Sequence, residues 1–395
     1  MRYSSALFAL AAPLLASAAP ARFYGKRAAT DILVFKFADV LEQLESAFYQ
    51  QAIAKFTDAD FTNAGFPSSQ IAVEQFKSIQ ADEATHSVVL QAALKSFGEA
   101  PITGCQFNFD AALADVATMA ATARVVENVG VTAYLGGAAL LTDPVLITAA
   151  GAILTVEARH QTILNVLSST GTAIPSAFDF AFTPSEVLAI AAPFITGGCD
   201  IPIPANTPLS LTNTGTVAPG TLLTFKASSL NGTIAEDTLF CQMLIGGAPT
   251  SIPLPLSQCV VPEINGPVAL FITSDGQPLL NNVRDRAQNK VIAGPALAFI
   301  DTKPQMLSQL LRSGAASSGS GSGSGAEAST STRTISPAEA SSVIASASGT
   351  AESASATAAP SSGNATSSGS ATSGPNTFTG KSADGKITVN GWTNV

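Results

Sequence analysis

Hydrophobic residues recur at three- and four-residue steps through residues 30–198, which is the spacing of one apolar face on an α-helix. The pattern predicts four long helices, joined by links of short to moderate length, and a shorter fifth helix. The four long helices are predicted over residues 31–56, 68–98, 110–141 and 144–169. The fifth begins at Pro184, inside a capping box formed by Thr183 and Glu186. This arrangement predicts a four-helix bundle.

One apolar stretch is long enough to suggest a membrane span, because residues 131–156 contain a single charged side chain, Asp143. However, Thr142, Asp143 and Pro144 lie in its middle, and Asp at an N-cap followed by Pro in the first turn is a helix start. We therefore predict two buried helices joined by a tight turn, and no membrane span.

The composition changes at Cys199, where the chain becomes rich in Pro, Gly, Thr and Asn. Short strand-like runs follow at residues 209–212, 222–226, 238–244 and 268–273. They predict an antiparallel β-rich domain, for which a small sandwich is one arrangement, and hence an α+β fold class. Residues 200–300 contain no His, Trp or Tyr, which argues against a copper centre of the His-Cys-Met kind and against an aromatic sugar-binding platform.

The two ends of the chain look like targeting and linker segments. A basic start, an apolar core and the small residues Ala16, Ser17 and Ala18 predict a secretory signal peptide, and the dibasic pair Lys26-Arg27 predicts a processing site. A long Ser/Gly/Ala/Thr tract near the C-terminus has almost no large apolar residues, which predicts a disordered, O-glycosylated stalk. The predicted domains are a signal peptide (1–18), a short propeptide (19–27), a helical bundle (28–198), a β-rich domain (199–312), a stalk (313–376) and a polar tail (377–395).

Four cysteines in an exported chain predict two disulfides. Three pairings of the four cysteines are possible. The positions of the cysteines along the chain favour Cys105–Cys199 across the helical region and Cys241–Cys259 in the region that follows. Asn231 and Asn364 are candidate N-glycosylation acceptors. We expect a secreted protein that is extracellular or associated with the cell wall.

Charge narrows the range of partners. The 395-residue chain has a formal net charge of −9, and only 12% of its residues are charged. Phosphate contacts need clustered Lys and Arg, so we expect no nucleic-acid partner.

Both histidines of the chain follow a glutamate by three residues: Glu83 precedes His86, and Glu157 precedes His160. Positions i and i+3 share one face of a helix, so each pair can present a carboxylate and an imidazole to a single point. A pair of this kind is also common on a solvated helix face. Here apolar residues flank both copies, which lie on alternate helices of the predicted four, and this favours a metal site.

A dimetal carboxylate site in a bundle needs one more glutamate from each of the other two helices. The third helix offers Glu127, whereas the first helix offers Glu42 and Glu45. Glu127 and Glu42 each have a tyrosine seven residues later, Tyr134 and Tyr49, which places each tyrosine above its glutamate and favours Glu42. Glu45 stays open as the alternative.

Electrostatics supports the metal interpretation. Four carboxylates that converge in an apolar bundle would suffer desolvation and mutual repulsion, and two divalent cations would balance their charge. Oxygen and imidazole ligands without thiolate suit iron or manganese better than copper.

These motifs resemble the ferritin-like superfamily. The run Cys105-Gln106-Phe107-Asn108-Phe109 and the Pro-rich stretch after Cys199 are similar to its secreted fungal branch of stress-response or late-sexual-development proteins, which resemble plant desiccation-related proteins. The resemblance implies six dimetal ligands: Glu42, Glu83, His86, Glu127, Glu157 and His160. It also implies ferroxidase-like or manganese-catalase-like chemistry.

The expected function is that of a secreted dimetal oxidoreductase that takes peroxide, dioxygen or metal ions. The alternative is a non-catalytic extracellular or cell-wall protein of stress or development, with a structural or vestigial metal site. An iron-storage cage is disfavoured, because a β-domain and a stalk on each subunit would obstruct a closed shell.

Overall fold

The computed structural model describes residues 29–168, 171–311, 380–381 and 388–389. The predicted signal peptide, propeptide and stalk, and the candidate acceptor Asn364, lie outside these residues. In the tail, the short strands Gly380–Lys381 and Thr388–Val389 pair in an antiparallel manner.

The N-terminal helical region is a four-helix bundle, as predicted. Helices α1 (Ala29–Lys55) and α3 (Gln70–Ser96) form one hairpin, and helices α4 (Val116–Ala138) and α5 (Pro144–Leu167) form the other. The hairpins meet through α1 against α4 and α3 against α5. Their shared core buries side chains such as Phe48, Phe76, Met119 and Leu164.

Two details of the helical region differ from the prediction. The third long helix does not begin at Asp110, because Asn108 Oδ1 accepts a hydrogen bond from the Asp110 amide at 2.8 Å and holds a turn there. The helix begins after Asp115, whose carboxylate caps the Thr118 amide at 2.7 Å. The short helix α2 (Asp58–Asn63) was not predicted and begins at a capping box of Thr57 and Asp60.

The turn between α4 and α5 follows the prediction. Asp143 Oδ1 accepts from the Val145 amide at 2.8 Å, and Pro144 occupies the first turn. The apolar stretch is thus two helices, and within the described part of the chain no helix combines the length and apolarity needed to cross a bilayer. The short helix α6 (Pro184–Ala191) starts with the predicted capping box of Thr183 and Glu186.

The C-terminal part is an antiparallel β region, which confirms the α+β class. Short strand β1 (Gln106–Phe107), which lies between α3 and α4, pairs with β2 (Ile195–Gly197), and β3 (Ser210–Leu211) pairs with β4 (Phe225–Lys226). The main sheet has the order β6-β5-β7-β8. Its strands are β5 (Phe240–Leu244), β6 (Ile252–Pro255), β7 (Gly266–Thr273) and β8 (Val291–Ile300). The second layer that a sandwich would need is here only the β3–β4 ribbon with its neighbouring loops.

The sheet and the helices share one core. Every residue of β7 is buried: Phe271 packs edge-on against Phe182 on the helical side, whereas Leu270 and Ile272 belong to the cluster on the opposite face. A short helix α7 (Met306–Leu310) follows the sheet. Both favoured disulfides form, Cys105–Cys199 and Cys241–Cys259.

Candidate metal centre

The six ligand candidates lie together in the middle of the bundle, each on the helix that the sequence predicted for it. Helix α1 supplies Glu42, α3 supplies a Glu–His pair, α4 supplies Glu127, and α5 supplies the second Glu–His pair. All four glutamates are fully buried, and the two imidazoles are 12% and 7% exposed. The i, i+3 spacing therefore does point each pair into the bundle.

The His86 imidazole is surrounded by three carboxylates. Its Nδ1 atom lies 3.2 Å from Glu42 Oε2, 3.0 Å from Glu83 Oε2 and 3.5 Å from Glu157 Oε1. The ligand atoms of these four residues all lie within 4.8 Å of one another. They form a first group that could hold a cation.

A second group lies around His160. Its Nδ1 atom lies 2.7 Å from Glu83 Oε1 and 3.2 Å from Glu127 Oε2. Together with Glu157, these residues again offer ligand atoms within 4.8 Å of one another. The two groups overlap, because Glu83 and Glu157 belong to both.

Unsatisfied atoms show that the site fits cations. Both carboxylate oxygens of Glu127 and of Glu157 are buried without a hydrogen-bond partner. Glu83 Oε1 and His160 Nδ1 are also unpartnered, although they are only 2.7 Å apart, because their alignment is not that of a hydrogen bond. Buried acceptors that crowd together without donors are costly unless a cation satisfies them. Their oxygen and imidazole chemistry suits iron or manganese.

The ionisation of the site differs from that of free side chains. Burial, together with the charge of Glu83, raises the pKa of Glu157, and burial likewise raises the pKa of Glu127. Burial also opposes ionisation of Glu83, but contacts with the two imidazoles outweigh it and hold its pKa well below the usual range. Burial disfavours the charged form of His160, yet the surrounding carboxylates raise its pKa to about 12. Burial and mutual repulsion thus oppose full ionisation of the carboxylates in this cluster.

A fifth glutamate borders the site. Glu45 is 3% exposed, its Oε2 has no hydrogen-bond partner, and its pKa is raised well above the usual value by burial and by the charge of Glu157. It belongs to neither four-residue group, whereas Glu42 belongs to the first.

A glycine makes room for these carboxylates. A Cβ atom at Gly130 would lie 2.2 Å from Glu157 Oε2 and 3.2 Å from Glu45 Oε1. Sequence reasoning missed Gly130, although a lone glycine inside a helical pattern is a signal of close packing.

Each of the two tyrosines interacts with a glutamate of the other helical hairpin. The Tyr134 hydroxyl donates a hydrogen bond to Glu42 Oε1, and the charge that most affects buried Tyr49 is that of Glu127. The seven-residue spacing places each tyrosine on the same helix face as its glutamate, but the interaction is with the glutamate of the facing helix. Seven residues advance a helix by about 10 Å, so the carboxylate in reach is the one on the facing helix.

Asp82 holds one imidazole from behind. His160 Nε2 lies 3.1 Å from Asp82 Oδ2, which leaves Nδ1 facing Glu83 and Glu127. A carboxylate behind an imidazole fixes its orientation and increases its basicity as a ligand. Sequence reasoning missed this contact, although Asp82 directly precedes Glu83 in the chain.

Comparison with known proteins agrees with this geometry. Residues 30–170 match the family model described as a ferritin-like domain. A search of curated proteins found no match to the chain. The helical region is therefore a ferritin-like domain, and its buried carboxylate and histidine cluster is compatible with a dimetal site.

Proposed function

We propose that the ferritin-like domain binds two divalent metal ions, iron or manganese, and that the protein acts on peroxide or dioxygen. The observation that carries this proposal is the pair of overlapping ligand groups in the bundle. In this assignment His86 and Glu42 hold one ion, His160 and Glu127 hold the other, and two further glutamates are shared.

The shared glutamates are Glu83 and Glu157, which are fully buried at the centre of the cluster. Four ionised carboxylates carry a charge of −4, which two divalent cations balance. If these residues hold two redox-active ions, the ions would supply two-electron exchange with an oxidant such as peroxide or dioxygen.

The protein's own groups set the conditions for that chemistry. Helices α1, α3, α4 and α5 bury the carboxylates and so exclude bulk water from them. The Tyr134 hydroxyl holds a proton at Glu42 Oε1, which orients that carboxylate. Asp82 orients His160, which is 7% exposed, whereas the His86 side chain is 12% exposed. The two ends of the site are thus unequal.

We further propose that the protein is exported and serves in a stress response, in agreement with the resemblance to the secreted fungal branch. Two disulfides support an oxidising compartment, because such bonds persist outside the reducing cytosol. Under this proposal the partners are a small-molecule oxidant or metal ions.

The test is metal analysis of full-length protein secreted by its expression host, followed by peroxide-consumption and ferrous-oxidation assays. We expect two iron or manganese ions per chain and turnover in one of the two assays. Near-zero metal after supply of either ion rejects the proposal. Metal without turnover, together with an intact biological phenotype in the double variant His86→Ala/His160→Ala, would favour the non-catalytic alternative.

A further inference from the structure

A cavity with a mixed polar and apolar lining lies beside the bundle and is distinct from the metal centre. It has a volume of about 260 Å³ and is lined by residues of α4, α5 and the segment 173–179 and by Pro267 of β7. None of the six ligand candidates lines it. The role of the cavity therefore has to be inferred from the residues that line it.

Two amide side chains that line this cavity are buried and have polar atoms without a hydrogen-bond partner. Asn128 is 1% exposed, and neither its Oδ1 nor its Nδ2 atom has a hydrogen-bond partner. Gln161 is 8% exposed, and its Oε1 atom is likewise unpartnered. Native proteins leave few buried polar groups unsatisfied, so two such amides at one cavity indicate a ligand.

The orientation of Gln161 is fixed by a chain of hydrogen bonds behind it. Its Nε2 atom donates to Asn165 Oδ1 at 3.0 Å, and the same oxygen accepts from Arg124 Nε at 2.7 Å. Asn165 Nδ2 in turn donates to the Ala173 carbonyl at 3.2 Å. Because Gln161 Nε2 is held by Asn165, the Gln161 side-chain carbonyl is left as a preset acceptor.

The remaining lining sets the class of ligand. The apolar part of the lining includes Val131, Ala158 and Pro175. The only charged lining residues, Arg159 and Asp179, are exposed and of opposite sign. The buried groups thus offer neutral acceptors and donors, and they favour an uncharged ligand with both functions.

We propose that this cavity binds an uncharged polyhydroxylated molecule of monosaccharide size. A 150 Å³ cavity holds benzene, so by proportion this one holds about ten non-hydrogen atoms. Each hydroxyl both donates and accepts, which lets one ligand pair with Gln161 Oε1 and with both ends of the Asn128 amide. The ligand is either a free sugar or polyol, or the terminal unit of an oligosaccharide.

The test uses the full chain and measures saturable binding by calorimetry, with glucose, xylose, sorbitol and a linear glucose oligosaccharide as probes. Gluconate and hexanol serve as a charged and an apolar comparison. Asn128→Leu removes the amide at nearly constant shape, and Ala158→Leu fills the cavity. Asn63→Leu is the matched control, because Asn63 is exposed and does not line the cavity.

We expect a neutral hydroxylated probe to bind, and both cavity variants to weaken it by about tenfold or more, with the control unchanged. Binding of the oligosaccharide alone, lost in the same variants, supports the polymer source. In the wild type, intermolecular NOEs should connect the ligand with the Val131 and Ile174 methyl groups, a readout that does not depend on any variant's folding.

The proposal is overturned if no hydroxylated probe binds, if gluconate or hexanol binds better, or if the NOEs lie elsewhere. Unchanged affinity in Ala158→Leu also overturns it. Metal content is measured in the same samples, and it should stay at the wild-type level in both variants, because the cavity does not include the metal ligands.

Discussion

Replacing Gly130 by alanine should remove the metal site while preserving the fold. The added Cβ atom would meet Glu157 Oε2 at 2.2 Å, and ordinary contact begins near 3.4 Å, so the carboxylate oxygen must retreat by about 1 Å. The obstacle is the end of a flexible side chain, and alanine favours the helix by roughly 0.5–1 kcal/mol over glycine. The metal-free variant should therefore be folded and no less stable than the wild type.

The effect on metal binding should be large. Metal–ligand distances tolerate only about 0.2 Å, and Glu157 belongs to both ligand groups, so both ions lose a ligand. Two ions at a hundredfold excess over their Kd would stabilise the wild type by about 5 kcal/mol. For a domain of this size, that corresponds to a rise in Tm of roughly 10–20 °C.

The assay compares metal content per chain and the metal-induced rise in Tm for the wild type and two variants. Gly151→Ala on helix α5 is the matched control, because nothing lies within 4 Å of its added Cβ. We expect Gly151→Ala to keep both ions and the full rise in Tm, and Gly130→Ala to lose most of both. Two tightly bound ions in Gly130→Ala would refute the assignment of Glu157 as a shared ligand.

Three further predictions follow from contacts around the site and the core. Asp82→Asn should weaken metal affinity by about tenfold, measured by competition with a chelator. This is the low end of the effect expected for a residue that orients a metal ligand, because the Asp82 side chain is 52% exposed. An unchanged affinity would contradict its positioning role. Metal affinity should fall as the pH falls, because the pKa of His160 is raised in the metal-free protein and its proton must leave before the metal binds. A manganese titration in weak buffer should therefore release protons. The absence of proton release would count against imidazole ligation. Arg286→Leu should lower the free energy of unfolding in urea by about 3–5 kcal/mol, because it leaves the fully buried Glu186 without its ion-pair partner. The control Lys290→Ala removes an exposed ion pair and should lower it by less than about 1 kcal/mol. Equal losses in the two variants would disprove the argument.

Local spacing explains what the sequence could predict. The Glu83–His86 pair lies on one helix face because three residues make almost one turn, and this holds whatever packs against the helix. The start of α5 could also be predicted from neighbouring residues alone, because Asp143 at the N-cap and Pro144 in the first turn mark the beginning of a helix. The α+β class and the bundle followed from such signals.

Contacts between helices could not be predicted in the same way. The hydrogen bond from Tyr134 to Glu42 depends on how far α4 is shifted along α1, and periodicity within one helix does not contain that register. The same is true of Asp82 behind His160 and of Gly130 against Glu157.

Strands β6 and β8 were not predicted from the sequence, for a different reason. Strand β8 contains Gly294 and Pro295, and β6 contains two prolines, residues that normally argue against a strand. Both are edge strands of the sheet, where proline is tolerated, and β8 buries Ala293, Ala296 and Ala298 in the cluster on the face away from the helices.

Anomalous diffraction from crystals of manganese- or iron-loaded protein tests the central claim most directly, because it locates each ion among named side chains. We predict two peaks inside the bundle: one beside His86 and Glu42, the other beside His160 and Glu127, with Glu83 and Glu157 between them. A single peak, or peaks only on the surface of the protein, would contradict the dimetal account.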